Sequence, residues 1–128
     1  MKVLLIDDNK DLTEAVGDFL DMSGIECKVF NSGTEGLEEI LNQRGTYDLI
    51  LLDIAMPELS GFDVLERLKK EGDGVHNVLK KENIVIFTAS YVRDSIIDDY
   101  VNEGVKEVIK KPVSIDELDA IIEKYKRS

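Results

Sequence analysis

Side chains able to do chemistry stand at the ends of the apolar segments of this 128-residue chain. Asp7 and Asp8 follow the first apolar run, Asp53 follows the third, Thr88 ends the fourth, and Lys111 follows the fifth. In an open parallel sheet the carboxyl ends of the strands meet at one edge, and ligands bind there. If these runs are parallel strands, the sequence predicts three carboxylates, one hydroxyl and one ammonium group in a single site.

Three carboxylates in one site require a counter-charge. A single aspartate after a strand is more often a turn or helix-cap residue, but three close together repel, and each then resists ionisation. Mg²⁺ prefers such hard oxygen ligands, and it often recruits a phosphate oxygen. A carboxylate beside it can attack phosphorus and form an aspartyl phosphate, in a reaction that depends mainly on positioning and charge neutralisation. The parts of such a site are matched by Asp53 as nucleophile, Asp7 and Asp8 as metal ligands, Lys111 as fixed cation and Thr88 as hydroxyl donor.

The elements that must position these residues alternate in type. Apolar runs predict five strands, at residues 2–6, 25–30, 48–52, 84–88 and 106–110. Near-continuous runs such as 2–6 and 48–52 indicate buried strands, whereas residues 25–30 alternate like a partly exposed strand. Apolar residues at helical spacing predict five helices, at residues 11–22, 32–44, 61–70, 90–103 and from 114 onward, with capping boxes at Ser32 and Ser114. Residues 72–83 break the rhythm, and their pattern fits an extra helical turn. Strict alternation predicts an α/β fold with a doubly wound five-stranded parallel sheet.

Composition limits the classes of function. The length fits one domain, spanning residues 1–128. Sixteen basic against 27 acidic residues leave a formal charge of −11, which argues against nucleic-acid and anionic-membrane partners. The apolar runs are far shorter than the roughly 20 residues that span a bilayer, and the start of the chain lacks the apolar region of a signal peptide. We therefore expect a cytoplasmic protein.

The motifs together resemble the receiver domain of two-component response regulators, over essentially the whole chain. They are Asp7-Asp8, the segment from Asp53 to Gly61, Thr88-Ala89 and Lys111-Pro112. Each motif is weak alone, but all four occur in order on the appropriate elements. The resemblance implies a flavodoxin-like (βα)5 fold with strand order 2-1-3-4-5. It also implies that a sensor histidine kinase, or a phosphotransfer protein, donates a phosphoryl group to this chain.

The resemblance also implies a role for each matching residue. Asp53 is the phosphoacceptor, with Asp8 as a direct Mg²⁺ ligand and Asp7 acting largely through water. The backbone carbonyl of Ala55 supplies a third protein ligand. The remaining positions bind the phosphoryl group or report its presence: Lys111 as the paired cation, Thr88 as the switch hydroxyl and the Ala89 amide as a further donor. The Lys111–Pro112 bond is expected to be cis.

The chain departs from the family pattern at the switch. Family members often carry Tyr or Phe three residues before the lysine, where this chain has Val108. Valine cannot swing between buried and exposed positions as a ring does, so we expect output to depend on backbone shifts in the loop after Thr88. Tyr91 lies in that loop and is a candidate substitute, although a surface position is the simpler interpretation.

Two further departures concern residues around the site. Ala55 and Ser90 stand where the family tunes hydrolysis of the aspartyl phosphate, and an alanine offers no group to hold the attacking water, so we expect slow self-dephosphorylation. Residues 72–83 are longer than the family's usual connection and contain His76. We interpret this stretch as a tolerated insertion and His76 as a solvated residue rather than a phosphoryl carrier or metal ligand.

Three functions compete for this pattern. The first is a stand-alone phosphorylation switch with no output domain, acting on a protein partner through the fourth predicted helix, the fifth strand and the fifth helix. The second is an Asp-nucleophile phosphatase of the haloacid dehalogenase kind, but its general acid two residues after the nucleophile is replaced by Ala55. The third is a phosphate-independent binding module, against which the intact set of acids argues. We expect the first function, and therefore a switch rather than a turnover enzyme.

Overall fold

The computed structural model describes residues 1–72 and 77–126, in which strands and helices alternate. The predicted His76 therefore lies outside the described residues. The elements are β1 (Lys2–Ile6), α1 (Lys10–Met22), β2 (Glu26–Phe30), α2 (Gly33–Asn42), β3 (Leu49–Leu52), α3 (Gly61–Lys70), α4 (Val78–Lys81), β4 (Ile84–Thr88), α5 (Asp94–Glu103), β5 (Glu107–Lys110) and α6 (Ile115–Tyr125). The short helix α4 is the extra turn that the sequence predicts between α3 and β4.

The five strands form one parallel sheet in the order β2-β1-β3-β4-β5. This confirms the predicted α/β class, the doubly wound five-stranded sheet and the flavodoxin-like strand order. The register pairs Ile6 with Leu52 and Leu52 with Ile86, so β1 and β3 end at the same level and β4 continues two residues further, to Thr88. Within the described residues, no helix is both long and apolar enough to cross a membrane.

Each face of the sheet carries its own apolar layer, because side chains alternate along a strand. On one face, residues such as Leu4, Leu52 and Ile86 pack with side chains of α2, α3 and α4. On the other face, Leu5, Leu51 and their neighbours pack with α1 and α6. The central strands β3 and β4 are buried at every residue. Their apolar runs therefore reflect burial on both faces.

Most of the longer helices begin where a side chain caps them, as the sequence predicts. Ser32 accepts a hydrogen bond from the Glu35 amide, and Ser114 does the same for Glu117. The reciprocal arrangement of a full capping box occurs instead at Ser60 and Asp63. A serine at such a position satisfies an amide at the start of the helix that would otherwise lack a partner.

Helix α5 is the exception among the longer helices. It begins at Asp94 rather than at Ser90 as predicted, because the Ser90 amide bonds to the Thr88 hydroxyl and holds Ser90 beside the end of β4. Arg93, which precedes the helix, provides no side-chain cap. None of its residues is buried, and Ile96 and Val101 are 39% and 40% exposed. The apolar spacing that predicts this helix therefore does not correspond to a deeply packed face.

Candidate functional site

The carboxyl ends of β1 and β3 bring the three predicted acids together. Asp7, Asp8 and Asp53 each offer a carboxylate oxygen, and these atoms all lie within 4.8 Å of one another. Asp7 and Asp53 are buried and Asp8 is exposed, so the cluster opens to solvent on one side. The Asp53 amide donates to the Ile6 carbonyl at 2.9 Å, which joins the two strand ends directly. The arrangement therefore follows from the register of neighbouring parallel strands.

Lys111 supplies the cation of this cluster. Its Nζ contacts the Asp7 carboxylate and lies 3.4 Å from Oδ1 of Asp53. The ammonium group lies over the Phe87 ring, with Nζ 5.0 Å from the ring centroid. The Lys111 amide donates to the Thr88 carbonyl at 2.8 Å, and the Lys111–Pro112 bond is cis, as the resemblance implies. By contrast, the neighbouring Lys110 is exposed, because successive side chains of a strand point to opposite faces.

The surroundings of Asp53 disfavour the ionised form of its carboxyl group. Burial and the neighbouring Asp7 raise the pKa of Asp53 to about 6, and Lys111 opposes that rise. One ammonium group facing two buried carboxylates leaves an excess of negative charge at the site. A further positive charge would lower the free energy of the ionised cluster.

The residues of the cluster fit a divalent cation by their chemistry. Three carboxylates are hard oxygen donors, and Mg²⁺ binding through one or two protein carboxylates with water completing the shell is the common pattern. Asp8 and Asp53 are the better candidates for direct ligands, since both oxygens of Asp7 already accept bonds: Oδ1 from the Asn9 amide at 2.9 Å and Oδ2 from Lys111. These bonds compete with direct coordination, in line with the expectation that Asp7 acts largely through water, which stays a prediction.

Thr88 and Ala89 lie at the end of β4, beside Asp53's strand. The Thr88 side chain is buried, and its hydroxyl oxygen accepts from the Ser90 amide at 3.0 Å. The hydroxyl proton therefore stays available for another acceptor. Ala89 and Ser90 are exposed, so the loop that follows β4 starts at the surface of the site. The predicted roles of Thr88 and Ala89 toward a phosphoryl group stay predictions.

The segment after Asp53 is shaped by close packing of backbone against backbone. The Gly61 amide donates to the Ile54 carbonyl at 2.9 Å, and a Cβ at Gly61 would lie 2.8 Å from the Ile54 Cα and even closer to the Asp53 carbonyl oxygen. Glu58 takes a left-handed conformation with φ of 67° to close this loop. Ala55 is exposed beside the cluster, and its predicted role as a carbonyl ligand stays a prediction.

The region of the predicted switch is lightly packed. Val108 is half-buried, next to Ile86 in register, and it packs against the layer on the α3 side of the sheet. Tyr91 is 83% exposed, which favours its interpretation as a surface residue. The aromatic contact in this region lies elsewhere: Tyr100 of α5 stacks on Phe62 of α3 with ring centroids 5.3 Å apart.

Tyr100 is also held by polar contacts that the sequence does not indicate. Its hydroxyl donates to Oε1 of Glu66 at 2.9 Å, and Lys69 contacts both Glu66 and Glu103. These contacts join α5 to α3. Phe62 follows Gly61 directly, so the Asp53 loop, the start of α3 and the ring of Tyr100 form one continuous line of contacts.

Sequence reasoning missed one polar residue at the site edge. Asn31 follows the end of β2, and its Nδ2 donates to the Asp7 carbonyl at 2.8 Å and to the Thr13 hydroxyl at 3.1 Å. The signal was available, because Asn31 is the polar residue at the carboxyl end of the second strand. The rule that ligands bind at the carboxyl ends of parallel strands applies to β2 as well.

A doubly wound parallel sheet with an acid cluster and a lysine at the carboxyl ends of its strands is the architecture of receiver-type α/β proteins. The model of the family described as the response regulator receiver domain matches residues 3–123. This chain therefore belongs to the response regulator receiver domain family, whose members are signalling modules of two-component systems.

Curated relatives and solved structures agree with that assignment. The transcriptional regulatory protein DltR of Streptococcus agalactiae is 34% identical over 95% of this chain and 50% of its own length. The aerobic respiration control sensor protein ArcB of Escherichia coli is 30% identical over 98% of this chain and 15% of its own length. The receiver domain of Francisella response regulator 1452 is 28% identical, with a TM-score of 0.77, over 97% of this chain and 94% of that one.

The curated relatives are longer proteins. This chain spans about half the length of DltR and a smaller part of ArcB. The likeness therefore concerns the receiver domain that they share with this chain. The regulatory activities that the names of those relatives state belong to the full-length proteins.

Proposed function

We propose that Asp53 accepts a phosphoryl group from a phosphohistidine, in a Mg²⁺-dependent reaction, and that this chain signals by the resulting conformational change. The observation that carries the proposal is the convergence of Asp7, Asp8 and Lys111 on a buried Asp53 carboxylate. Membership of the receiver family supports it. The donor is a sensor histidine kinase or a phosphotransfer protein.

The transfer step is a displacement at phosphorus. An oxygen of the ionised Asp53 carboxylate forms a bond to phosphorus while the bond from phosphorus to the donor imidazole nitrogen breaks. The imidazole leaves with the bonding electron pair, and the product on this chain is an acyl phosphate. Asp53 must be ionised to attack, and because its pKa lies at about 6, most molecules carry the reactive form at neutral pH.

The chain's own residues position the group and neutralise its charge. Lys111 lies 3.4 Å from Asp53 and is held by Asp7, so its ammonium group is already aimed at the place where a phosphoryl oxygen would arrive. Thr88 has a hydroxyl proton to donate, and the Ala89 amide follows it at the same edge. Such preorganised donors lower the barrier because they need no rearrangement during the reaction.

Asp8 and Asp53 would hold Mg²⁺ directly, with Asp7 bound through water and the Ala55 carbonyl as a further ligand. When bound, Mg²⁺ supplies the positive charge that offsets repulsion between the carboxylates and the phosphoryl oxygens. Asp7 would keep Lys111 beside the site, through the contact between its Oδ2 and Nζ.

The output depends on the loop after Thr88. A phosphoryl oxygen that accepts from the Thr88 hydroxyl would favour one arrangement of residues 88–93 over another, and α5 begins at the end of that loop. The face formed by α5, β5 and α6, which corresponds to the face predicted from the sequence, is then the surface that a protein partner reads. A coupling of about 1–3 kcal/mol between phosphorylation and partner binding is typical of such linkage.

Several parts of the proposal stay predictions. They include a cytoplasmic location and the absence of nucleic-acid and membrane partners. The role as a switch rather than a phosphatase is favoured by Ala55, which offers no general acid beside Asp53. Slow hydrolysis of the acyl phosphate is expected because the Ala55 side chain offers no group to hold the attacking water.

The test is transfer of labelled phosphate from purified, autophosphorylated histidine kinases to the parent chain, Asp53→Asn and Asp119→Asn. Asp119 is an exposed acid on α6 and serves as the matched control. We expect label on the parent and on Asp119→Asn, only in the presence of Mg²⁺, and none on Asp53→Asn. Label on Asp53→Asn, or repeated turnover of a phosphate ester by the parent, would contradict the proposal.

A further inference from the structure

The peptide group that joins Asp7 to Asp8 is held by a side chain from another strand. The Asp7 carbonyl is the oxygen of that peptide group, and Nδ2 of Asn31 donates to it at 2.8 Å. The Asp7 amide is fixed in turn by the Phe30 carbonyl at 3.1 Å. The end of β2 therefore holds the backbone on both sides of the Asp7 Cα.

The orientation of the Asn31 amide follows from its partners. A backbone carbonyl can only accept, and the Thr13 hydroxyl already donates to the Lys10 carbonyl at 3.1 Å. Both partners of Asn31 therefore require its NH₂ end. Thr13 is buried in the first turns of α1, so Asn31 joins the ends of β1 and β2 to that helix.

The orientation of Asp8 depends on this restraint more than that of Asp7 does. Asp7 is fixed by its own side-chain bonds to the Asn9 amide and to Lys111. Asp8 is exposed, so its direction depends mainly on the peptide group that precedes it. We propose that Asn31 is a positioning residue for the cation site: it sets the direction of Asp8 by holding the Asp7 carbonyl. The inference rests on the proposed function, because it assumes that Asp8 binds Mg²⁺.

Partners that orient metal ligands typically change metal affinity by about 10–100-fold when they are removed. We expect Asn31→Leu to weaken Mg²⁺ binding by about tenfold, at the lower end of that range, because Asn31 acts through the backbone rather than on a ligand side chain. Thr13→Val is the matched control, since it removes the second bond of Asn31 and leaves the bond to Asp7 intact. We expect it to change Mg²⁺ affinity less than about threefold, on the same reasoning.

Asn31→Asp separates orientation from charge. It has nearly the same shape, but it presents only acceptor oxygens to the Asp7 carbonyl and adds a negative charge near the site. If charge alone governed affinity, Mg²⁺ would bind more tightly to this variant. If Asn31 acts by orienting Asp8, the variant binds Mg²⁺ more weakly than the parent in spite of the added charge.

The measurement is a MgCl₂ titration followed by the amide chemical shifts of Asp8 and Asp53, with metal-free thermal melts of every variant. Weaker binding by Asn31→Leu and Asn31→Asp, with Thr13→Val close to the parent, supports the inference. Equal affinity of Asn31→Leu and the parent overturns it, as does an equal loss in Thr13→Val.

The same titration distinguishes failure of the inference from failure of the proposed function. Absence of saturable Mg²⁺ shifts in the parent would contradict the cation site itself, and with it both proposals. Normal binding by the parent and by the Asn31 variants would contradict only the role of Asn31. If Asn31→Leu does not fold, the opposite signs expected for Asn31→Asp decide between orientation and charge.

Discussion

Two regions at the carboxyl edge of the sheet, one around Asp53 and one around Val108, differ in how deeply their residues are buried. Around Asp53, the strands β3 and β4 are buried at every residue, Lys111 contacts the carboxylate, and the backbone of Gly61 packs closely against the Asp53 carbonyl. Around Val108, α5 buries none of its residues and β5 is only half-buried. The chemistry is thus placed on the rigid side, and the neighbouring side has fewer contacts to lose when it moves.

The contrast suggests how one site can both bind and signal. A reactive carboxylate needs fixed surroundings, since misplacement of catalytic groups is costly. A switch needs two arrangements of similar free energy, and a lightly packed helix allows them at low cost. Thr88 stands between the two regions: its side chain is buried with β4, and the loop that follows it leads to α5.

The largest expected effect comes from the rigid side. In Gly61→Ala the new Cβ would meet the Asp53 carbonyl and lie 2.8 Å from the Ile54 Cα. Neither backbone atom can move without displacing Asp53, so we expect a loss of about 3 kcal/mol in the free energy of unfolding. Urea denaturation measures it.

Gly17→Ala is the matched control for that substitution. Its Cβ would meet only the Val29 side chain at 3.8 Å, inside α1. We expect this variant to be more stable than the parent by about 0.5–1 kcal/mol, since alanine favours a helix over glycine. Equal stability of the two variants would show that the Asp53 loop is not rigid.

The second prediction concerns the effect of Asp53 ionisation on the free energy of unfolding. Its folded-state pKa of about 6 lies above the value of an unfolded aspartate, so the folded state binds the proton more tightly. Stability contributed by that proton is present at low pH and is lost as pH rises through about 6. Without metal, Asp53→Asn should therefore be more stable than the parent by about 2 kcal/mol at pH 7.5.

The pH dependence of that difference identifies its cause. Between pH 5 and pH 7.5 the advantage of Asp53→Asn should grow by about 1–1.5 kcal/mol. Urea melts at both pH values, with a chelator present, measure it. Asp119→Asn, on the surface of α6, should show no such growth. A constant advantage would mean that titration of Asp53 is not its source.

The sequence predicts the rigid side far better than the other. The continuous apolar runs locate β1 and β4 with their observed bounds, because burial on both faces leaves a clear pattern. Apolar residues at helical spacing locate α3 equally well, because one stripe of that helix is buried. The convergence of Asp7, Asp8 and Asp53 follows from the rule that the carboxyl ends of parallel strands share an edge.

What the sequence could not predict depends on contacts between elements that packing sets. The start of α5 is an example, because Ser90 resembles a helix cap and its amide is instead bound by Thr88. The stack of Tyr100 on Phe62 is another, since it requires the angle between two helices. Neither leaves a local pattern, and both lie on the lightly packed side.

The third prediction tests how α5 is attached. Tyr100→Phe keeps the ring on Phe62 and removes the bond to Glu66. We expect the free energy of local opening of α5 to fall by about 1 kcal/mol, the usual net contribution of one hydrogen bond. Hydrogen exchange of α5 amides should then be about fivefold faster, while exchange in β3 and β4 stays at the parent rate.

Tyr125→Phe is the control for this variant, since the Tyr125 hydroxyl of α6 donates to Glu107 at 2.7 Å in a similar bond. It should leave α5 exchange unchanged. Faster exchange throughout the sheet in Tyr100→Phe would contradict the distinction between the two regions, because it would mean that α5 opens only with the whole domain.

The last prediction compares one substitution at two places in neighbouring strands, and its Val108 variant has the smallest expected effect. Val85 of β4 is fully buried, and Val108 of β5 is half-buried. Val85→Thr buries a hydroxyl where apolar side chains surround it and should cost about 2 kcal/mol, whereas Val108→Thr should cost only about 0.5 kcal/mol, since water can reach part of the side chain. Urea melts of both variants measure the difference. Equal losses would mean that β5 is as tightly packed as β4. Movement of the output region would then disrupt core packing, which the proposed switch does not require.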